Sequence, residues 1–513
     1  RSYDTYLEYT FEDHVVLGGT AGNDHLISGG GDDTVWGDLG NDLLEAGYGV
    51  DRVHGGEGDD IITNSGTDIG ETDFLHGDEG NDVVQAGSGL ALIFGNTGSD
   101  FIITGPDGKE AFGGTDNDFI LGGSAQNLLL GNEGDDWLEG AEGFDTLAGD
   151  NSQLFFNSTI IGHDVLIAGS DENDFDAESG DDIMIEGESV MRNEGMLGFD
   201  WVGYKDVPFG ADADMRIKIF TTVEADILRN RFDRVEALSG WKHSDTLRGD
   251  DRVLGVIDPL EPEPLVPENI MAGDELTKEG ALRIDGLVDV LGSYATGIGA
   301  MANDTVVYAH GNIVLGGDGS DMITGGGGDD IIDGDKWLNV RIRINDANGV
   351  AIGTADGMAK NVTMFDTNSP LHGKQLSVLM VEGKLNPSQL SIVREILDSS
   401  ADPLGSSVAG HAGDFDTAIY QGSISEYTFF EADGVTVIPV AALAGRGDGV
   451  LIVEHTLGDP RGGGIFADGR DTITNVERLM FADATIELVA GINNGPTGVA
   501  TIEGLLALNG PGV

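Results

Sequence analysis

The chain lacks cysteine altogether, and it is poor in positive charge. Its 513 residues include no Cys, and only 26 Lys and Arg stand against 91 Asp and Glu, which gives a formal net charge of −65. Without cysteine the chain can form neither a disulfide framework nor a thiolate metal site. A field this negative repels phosphate backbones, so the composition argues against nucleic-acid binding.

Long apolar runs are also missing. The longest stretches, such as VTVIPVAALAG at 435–445, are far shorter than the roughly 20 residues that a membrane-spanning helix needs. We therefore expect no membrane span. Simple disorder fits poorly, because 40% of the residues are hydrophobic. The chain begins with Arg1, and no basic-then-apolar leader follows it, which indicates a processed or excised piece of a longer protein.

What the chain has in excess is glycine, 82 of 513 residues, and it recurs in a fixed phase. From Gly19 the sequence reads in units of nine: GTAGNDHLI, SGGGDDTVW, GDLGNDLLE, AGYGVDRVH and GGEGDDIIT. Each unit has aspartate at its sixth position, and the phase resumes after short slips. Three later sixth positions, Ala91, Lys109 and Asn127, have lost the aspartate. The turn propensity of Gly and Asp explains the composition but not this constant period.

The spacing predicts the turns of a solenoid. Glycine at positions one, two and four permits positive φ and the close approach of stacked backbones. The segment after each aspartate reads as a short strand with an inward-pointing apolar residue; these residues are Leu26, Val35, Leu43, Val53 and Ile61. Turn and strand, repeated, make a right-handed parallel β-roll whose loops stack along each edge. Carboxylate and carbonyl oxygens in such loops favour calcium over zinc or copper.

We predict calcium ligands at the aspartates that keep the repeat phase. They are Asp24, Asp33, Asp42, Asp51, Asp60, Asp73, Asp82, Asp100, Asp118, Asp136, Asp145, Asp164, Asp174, Asp182, Asp200, Asp245, Asp321 and Asp330. Without counter-ions these carboxylates would repel one another. If about fifteen sites each took one Ca²⁺, roughly +30 of the −65 would be offset.

Residues 19–203 and 316–333 resemble the RTX, or hemolysin-type calcium-binding, family through the motif GGxGxDxUx. Proteins of this family are typically exported unfolded through a type I secretion channel and fold when they meet extracellular calcium. The resemblance implies a secreted bacterial protein with multiple Ca²⁺ ions as its cofactors.

The segments around the repeats carry a second resemblance. YLEYTFEDHVVLGGTAGND, FDRVEALSGWKHSDTLRGDD, DGDKWLNVRIRI and DTITNVERLMFAD are similar to the C-terminal region of bacterial animal-type haem peroxidases that carry RTX repeats. In that family the haem domain precedes the first of these strings. Haem is therefore expected only if a parent domain is attached. The implied partners, besides calcium ions, are such a peroxidase domain of the same parent chain or a cell-surface layer.

Composition and periodicity divide the chain into segments. They are 1–18, an N-terminal lead-in; 19–203, the RTX β-roll; 204–315, an insertion with a linker and an amphipathic helix; 316–335, further RTX repeats; 336–411, an α/β insertion; 412–490, a C-terminal β module; and 491–513, a linker or the start of a next domain. The predicted fold class is all-β dominated: a parallel β-roll with inserted helices and a C-terminal β module.

The insertions carry weaker local signals. Residues 275–295 place leucines near helical spacing, which predicts an amphipathic helix lying on the roll, with a partner-binding helix as the alternative. Residues 336–345 alternate like a strand. Asn386, Pro387 and Gln389 match the start of a helix with a capping box.

Catalytic motifs do not stand out in the sequence. It holds no G-x-S-x-G elbow, no H-E-x-x-H and no P-loop, so we predict that this chain itself is not an enzyme. We expect His25, His54 and His76 to be surface or packing residues rather than ligands. Two hypotheses remain: a secreted calcium-dependent structural and secretion module, and part of a secreted haem peroxidase whose catalytic domain lies outside this chain. A polysaccharide-modifying enzyme built on parallel β-coils lacks a marked acid–base cluster.

Overall fold

The computed structural model of the chain describes most of its residues. The described ranges are 2–67, 71–150, 162–251, 273–398, 415–456 and 468–489. The predicted linker at 251–268 falls outside them except for Asp251, and the predicted terminal segment 491–513 falls outside them completely. None of the helices in these ranges is both long and apolar enough to cross a membrane.

The repeats wind into a parallel β-solenoid, which confirms the predicted β-roll. A regular coil contains 18 residues, which is two nonapeptide units. This length follows from the pairing of Leu26 with Leu44 in the neighbouring strand. Where the sequence slips, the coil grows: Ile61 pairs with Val83, and Trp137 pairs with Val165. The slips therefore enlarge individual coils and leave the strands in register.

The first sheet is 18-stranded and runs the length of the roll. Its parallel strands are Thr5–Glu8, Asp24–Ile27, Leu43–Tyr48, Ile61–Gly66, Val83–Gln85, Phe101–Ile103, Phe119–Leu121, Trp137–Glu139, Val165–Ile167, Ile183–Ile185, Trp201–Gly203, Ala237–Ser239, Ile313–Leu315, Ile331–Asp333 and Arg470–Thr474. Three antiparallel strands complete it: Leu451–His455, Tyr427–Glu431 and Val437–Ile438.

The opposite wall of the roll consists of two sheets. The 11-stranded second sheet contains Val16–Gly18, Thr34–Leu39, Arg52–Glu57, Thr72–Glu79, Leu90–Thr97, Lys109–Thr115, Leu128–Glu133, Asp145–Ala148, Asn173–Asp176, Met191–Glu194 and Arg231–Asp233. The 6-stranded third sheet contains Asp212–Asp214, Thr246–Arg248, Met322–Thr324, Thr417–Ile419, Arg478–Met480 and Thr485–Glu487.

The interior of the roll is filled by the side chain two positions after each loop aspartate. Leu26, Leu44 and Ile62 are completely buried there. Successive side chains of a strand point to opposite faces. Leu43 and Ile61, which were predicted to point inward, therefore lie on the outer face of the first sheet, and that prediction was wrong for these two residues.

The insertions cover the outer face of the first sheet. A second apolar cluster joins Phe101, Phe119 and Trp137 of that face to Leu338 and Leu379 of the insertions. The inserted elements are a four-stranded antiparallel sheet of Thr363–Met364, Ala351–Ala355, Lys336–Asn345 and Leu390–Asp398, a strand pair of Leu276–Thr277 and Val306–Tyr308, and the helices Lys278–Arg283, Leu287–Leu291 and Leu376–Val381. Short 3₁₀ turns lie at Asp226–Leu228, Gly292–Ala295, Ile298–Ala300, Pro387–Gln389, Ile424–Glu426 and Val440–Ala442.

Two local predictions meet a different outcome. The single amphipathic helix is split, because Gly286 takes a left-handed conformation (φ 86°) between Lys278–Arg283 and Leu287–Leu291. The capping box at Asn386 forms, but it closes only one 3₁₀ turn. The chain then continues as the strand Leu390–Asp398, which pairs with all but the last residue of the predicted strand at 336–345. Long-range pairing thus overrides the local helix signal.

The segment predicted as a C-terminal β module is built onto the roll. Thr417–Ile419 and Arg478–Met480 extend the third sheet in parallel. Arg470–Thr474 pairs in parallel with Ile331–Asp333 of the first sheet. The described residues from 415 onward therefore add further coils and then end the sheet with antiparallel strands.

Candidate metal centres

Aspartates of one loop row stack into what we call the first ladder. In it the backbone N–H of each aspartate donates to Oδ1 of the aspartate one coil further, at 2.6–2.9 Å. The members are Asp24, Asp42, Asp60, Asp82, Asp100, Asp118, Asp136, Asp164, Asp182 and Asp200, all fully buried. Asp200 passes the pattern on to Glu236, whose Oε2 accepts its N–H at 3.0 Å.

The second carboxylate oxygen of many loop aspartates is buried without a hydrogen-bond donor among the described residues. These Oδ2 atoms belong to Asp33, Asp51, Asp73, Asp82, Asp100, Asp118, Asp136, Asp145, Asp164, Asp182, Asp200 and Asp330. Burying an ionised oxygen without a partner is costly. A row of such atoms, repeated coil after coil, therefore calls for a cation.

The glycines that open units of the first ladder keep space free around these oxygens. A Cβ placed on Gly77 would lie 2.5 Å from Oδ2 of Asp82 and 2.8 Å from the carbonyl oxygen of Gly95 in the next coil. The same two kinds of oxygen converge on Gly37, Gly55, Gly95, Gly113 and Gly131. An all-oxygen donor set of carboxylates and backbone carbonyls suits Ca²⁺. The residues of the first ladder therefore fit calcium.

The electrostatics of the loops point the same way. Burial raises the pKa of Asp51, Asp145 and Asp245 to about 7. In the first ladder the pKa of Asp82 is raised far above its usual range. Burial is the larger cause, and the negative charge of the neighbouring Asp100 is the second. A bound divalent cation would reverse this effect, because it favours the charged carboxylate.

The loops before the second sheet form a second ladder, which is interrupted. Asp33 donates its N–H to Oδ1 of Asp51 at 2.9 Å, and Asp51 does the same to Asp73. The carboxylates then stop at Ala91 and Lys109. The ladder resumes where Asn127 donates its N–H to Oδ1 of Asp145 at 2.7 Å. The three repeat positions that lack the aspartate are therefore neighbours in the second ladder.

Lys109 brings its own positive charge into this gap. Its side chain is only 4% exposed. Nζ donates to the carbonyl oxygens of Gly89 and Asp107, the latter at 3.1 Å. Burial lowers the pKa of Lys109, while Asp107 and Asp73 act to raise it. An ammonium group thus contacts loop carbonyls at a coil that lacks the aspartate.

Asp174 lies outside the second ladder. Asn173, one residue earlier, is fully buried and accepts the N–H of Asp145 on its Oδ1 at 3.0 Å. Asp174 instead points away from the loop row, and its Oδ1 lies 3.2 Å from Nε of Arg192. A one-residue slip in the repeat thus puts an amide where the sequence reading put a carboxylate.

A third ladder follows the third sheet. Asp245 donates its N–H to Asp321 at 2.7 Å, Asp321 to Asp416 at 2.8 Å, and Asp416 to Oε2 of Glu477 at 2.6 Å. In the first sheet Asp330 donates to Oδ1 of Asp471 at 3.0 Å. The predicted Asp245, Asp321 and Asp330 are thereby brought into ladders.

Sequence reasoning missed several ladder members. They are Asn173, Glu236, Asn312, Asp416, Asp471 and Glu477. A signal existed for Asp471, since GRDTIT repeats the G-x-D-x-U pattern of GSDMIT around Asp321. Glu236 and Glu477 could not be found this way, because a glutamate stands there in the register position that aspartate holds elsewhere: each directly precedes its strand, as Asp200 and Asp416 do.

Comparison with known families matches these repeats. The RTX calcium-binding nonapeptide repeat is found at residues 17–44, 36–66, 70–102, 112–147, 161–185 and 309–336. All the predicted aspartates except Asp200 and Asp245 lie in these segments. No curated protein matches the chain. The resemblance to haem peroxidases stays a prediction.

Proposed function

We propose that this chain, which carries RTX calcium-binding nonapeptide repeats, is a structural and secretion module that leaves the cell unfolded and folds on extracellular calcium. The observation that carries the proposal is the row of buried Oδ2 atoms that have no hydrogen-bond donor within the described part of the chain. A fold that buries so many unpartnered carboxylate oxygens needs cations to become stable.

In each loop one set of atoms orients the carboxylate, and another set would bind the ion. The backbone N–H of the preceding coil fixes Oδ1, as Asp82 does for Asp100. Oδ2 of Asp100 is thereby left beside Gly95, where the carbonyl oxygen of Gly113 from the neighbouring coil also lies. The ion would supply the positive charge that balances the carboxylate oxygen and the carbonyl oxygen. Its binding is available only after two coils have stacked, so binding free energy becomes folding free energy.

The expected affinity suits a switch between compartments. Extracellular calcium modules bind in the range of about 10⁻⁴–10⁻³ M, which calcium reaches outside cells but not in the cytosol. In a solenoid each coil contacts only its neighbours. Folding should therefore propagate along the ladders, and the response to calcium should be cooperative.

A calcium titration of the EDTA-treated chain, followed by far-UV circular dichroism, tests the proposal. We expect a cooperative rise of β signal with Ca²⁺ and little response to Mg²⁺, which demands smaller octahedral sites. Replacing Asp100 and Asp118 by Ala should raise the calcium midpoint at least several-fold. The same substitution at the exposed Asp304 should leave it unchanged. A chain that is fully folded in EDTA would overturn the proposal.

The alternative is that this chain forms the C-terminal part of a secreted calcium-binding haem peroxidase. It rests on the similarity of strings such as DGDKWLNVRIRI and leaves the calcium role intact. It predicts that haem added to the isolated chain keeps the absorption spectrum of free haem, whereas a parent chain with a preceding domain shifts and sharpens the Soret band.

A further inference from the structure

A row of stacked rings runs along the outer face of the second sheet. One ring per coil contributes: Trp36, His54, His76, Phe94 and Phe112. Neighbouring rings are nearly parallel, with centroids 4.0, 4.6, 4.7 and 5.0 Å apart and interplanar angles of 10° or less. Trp36 is 48% exposed, so this row faces outward at its beginning. The row is built from the strands and not from the calcium loops.

Two imidazoles are neighbours within this row, and a carboxylate lies beside them. His54 and His76 pair in register on adjacent strands. Nδ1 of His54 lies 3.1 Å from Oδ2 of Asp78. One ligand atom from each of the three side chains lies within 4.8 Å of the other two, and all three residues are partly exposed. The cluster therefore presents two nitrogens and one oxygen to solvent at one spot.

We propose that His54, His76 and Asp78 form a binding site for a first-row divalent transition metal ion, with zinc as the first candidate. Imidazole nitrogens together with one carboxylate are ligands that Zn²⁺ takes in proteins, whereas calcium takes oxygen ligands. The site is thus chemically distinct from the ladders. This proposal goes beyond the calcium-dependent folding and does not depend on it.

Closing on a metal requires the two imidazoles to rotate out of the stacked row. The lone pair of an imidazole nitrogen lies in the ring plane, and the planes of His54 and His76 are only 6° from parallel, with centroids 4.6 Å apart. Zinc bonds of about 2.0–2.2 Å in a tetrahedral site separate ligand atoms by roughly 3.4 Å, whereas the three ligand atoms here lie within 4.8 Å of one another. Binding would therefore exchange the stacking contacts with Trp36 and Phe94 for bonds to the metal.

Three protein ligands leave a fourth metal position open. A closed structural zinc site uses four protein ligands, whereas an open site keeps a water or an exogenous ligand. The proposed site is of the open kind. It should therefore exchange its metal readily and accept an additional small ligand from solution.

The test uses the full chain, folded in saturating calcium so that the acidic loops are occupied. Zn²⁺ is titrated by calorimetry, and Co²⁺ is added separately to read nitrogen ligation from its visible absorption. We expect one site per chain that is tighter than the background of surface carboxylates. His54→Gln or His76→Gln should weaken it at least tenfold.

A matched control shows whether zinc binding is specific to this cluster or common to any strand histidine that lies beside a carboxylate. His25 also lies next to a carboxylate, with Nε2 2.6 Å from Oε1 of Glu45. His25→Gln should leave zinc affinity unchanged. The calcium midpoint of each variant shows whether it still folds. If a histidine variant does not fold, Asp78→Asn replaces it, since Asn tolerates the positive φ of 73° at this position. Unchanged zinc affinity in the double histidine variant would overturn the proposal.

Discussion

At the scale of single residues the loops show two arrangements of buried polar and charged groups. Most coils bury a carboxylate whose Oδ2 needs a mobile cation, as Asp118 and Asp136 do. One coil carries its cation in the chain, since the ammonium of Lys109 contacts the carbonyls of Gly89 and Asp107. Under the proposed function, the first arrangement would make folding depend on calcium, and the second would not.

Replacing Lys109 by Met keeps the aliphatic stem but removes the charge. The carbonyl of the buried Gly89 then loses its donor, as does that of the exposed Asp107, and the first loss costs on the order of 1–3 kcal/mol. We expect the urea midpoint in saturating calcium to fall accordingly. The exposed Lys384, changed to Met in the same way, serves as control. An unchanged urea midpoint for Lys109→Met would show that its ammonium contributes nothing to the row.

At the scale of elements, the repeat period predicted the stacked loops. It did not predict which face of the sheet a strand residue lies on, nor which residue joins a ladder where the repeat slips by one. Asp42 and Asp60 were found because nothing interrupts the period there. Asn173 took the place predicted for Asp174 because a one-residue slip leaves the local pattern almost unchanged. The G-x-D-x-U pattern marks Asp471 as a loop aspartate, but it does not encode that Asp471 accepts the N–H of Asp330, which lies 141 residues away.

The inserted strand Leu390–Asp398 also shows why local signals fail. A capping box precedes it, yet its residues pair with Lys336–Asn345 across about fifty residues of chain. That pairing places Arg394, only 6% exposed, against the first loop row. Its Nη2 donates to the carbonyl of His163, and its Nη1 lies 3.6 Å from Oδ2 of Asp135. The insertion thus supplies a fixed cation to the loops.

Changing Arg394 to Met should therefore weaken both the docking of the insertion and the nearby loops. Asp164 and Asp182 interact electrostatically with this guanidinium, so their carboxylates lose a favourable charge. We expect a loss on the order of 1–3 kcal/mol, because the variant removes a hydrogen bond from a charged group and an ion pair whose carboxylate is partly exposed. Chemical denaturation in saturating calcium measures it. The exposed Arg343 of the adjacent strand is the control, and equal midpoints for the two variants would contradict this role.

At the scale of the whole molecule, the net charge of −65 and the buried ladders make stability a question of which cation is present. The roll has a continuous apolar interior, in which Leu44, Ile62 and Val84 stack fully buried. That interior resembles the core of any parallel solenoid. The proposed function adds that the loops of this chain oppose folding until a cation neutralises them.

Protons should be able to replace calcium in this role. Asp51, Asp145 and Asp245 have pKa values raised to about 7 in the ion-free fold, whereas in the unfolded chain they titrate near ~4. Between these values the folded state binds more protons than the unfolded state. Stability of the ion-free fold therefore rises as the pH falls from 7 toward 4, by about 1.4 kcal/mol per pH unit for each such group.

We therefore expect the chain in EDTA to gain β signal when the pH is lowered from 7.5 to 5. In saturating calcium, acidification over the same range should bring no gain, because the ions already neutralise the carboxylates. Molar potassium chloride in every sample screens the exposed charges, so that the response reports the buried ones. If the chain in EDTA is equally unfolded at both pH values, the buried aspartates do not govern the stability of the ion-free state. In that case the apolar interior, with the insertions packed on the outer face of the first sheet, sets the limit to folding.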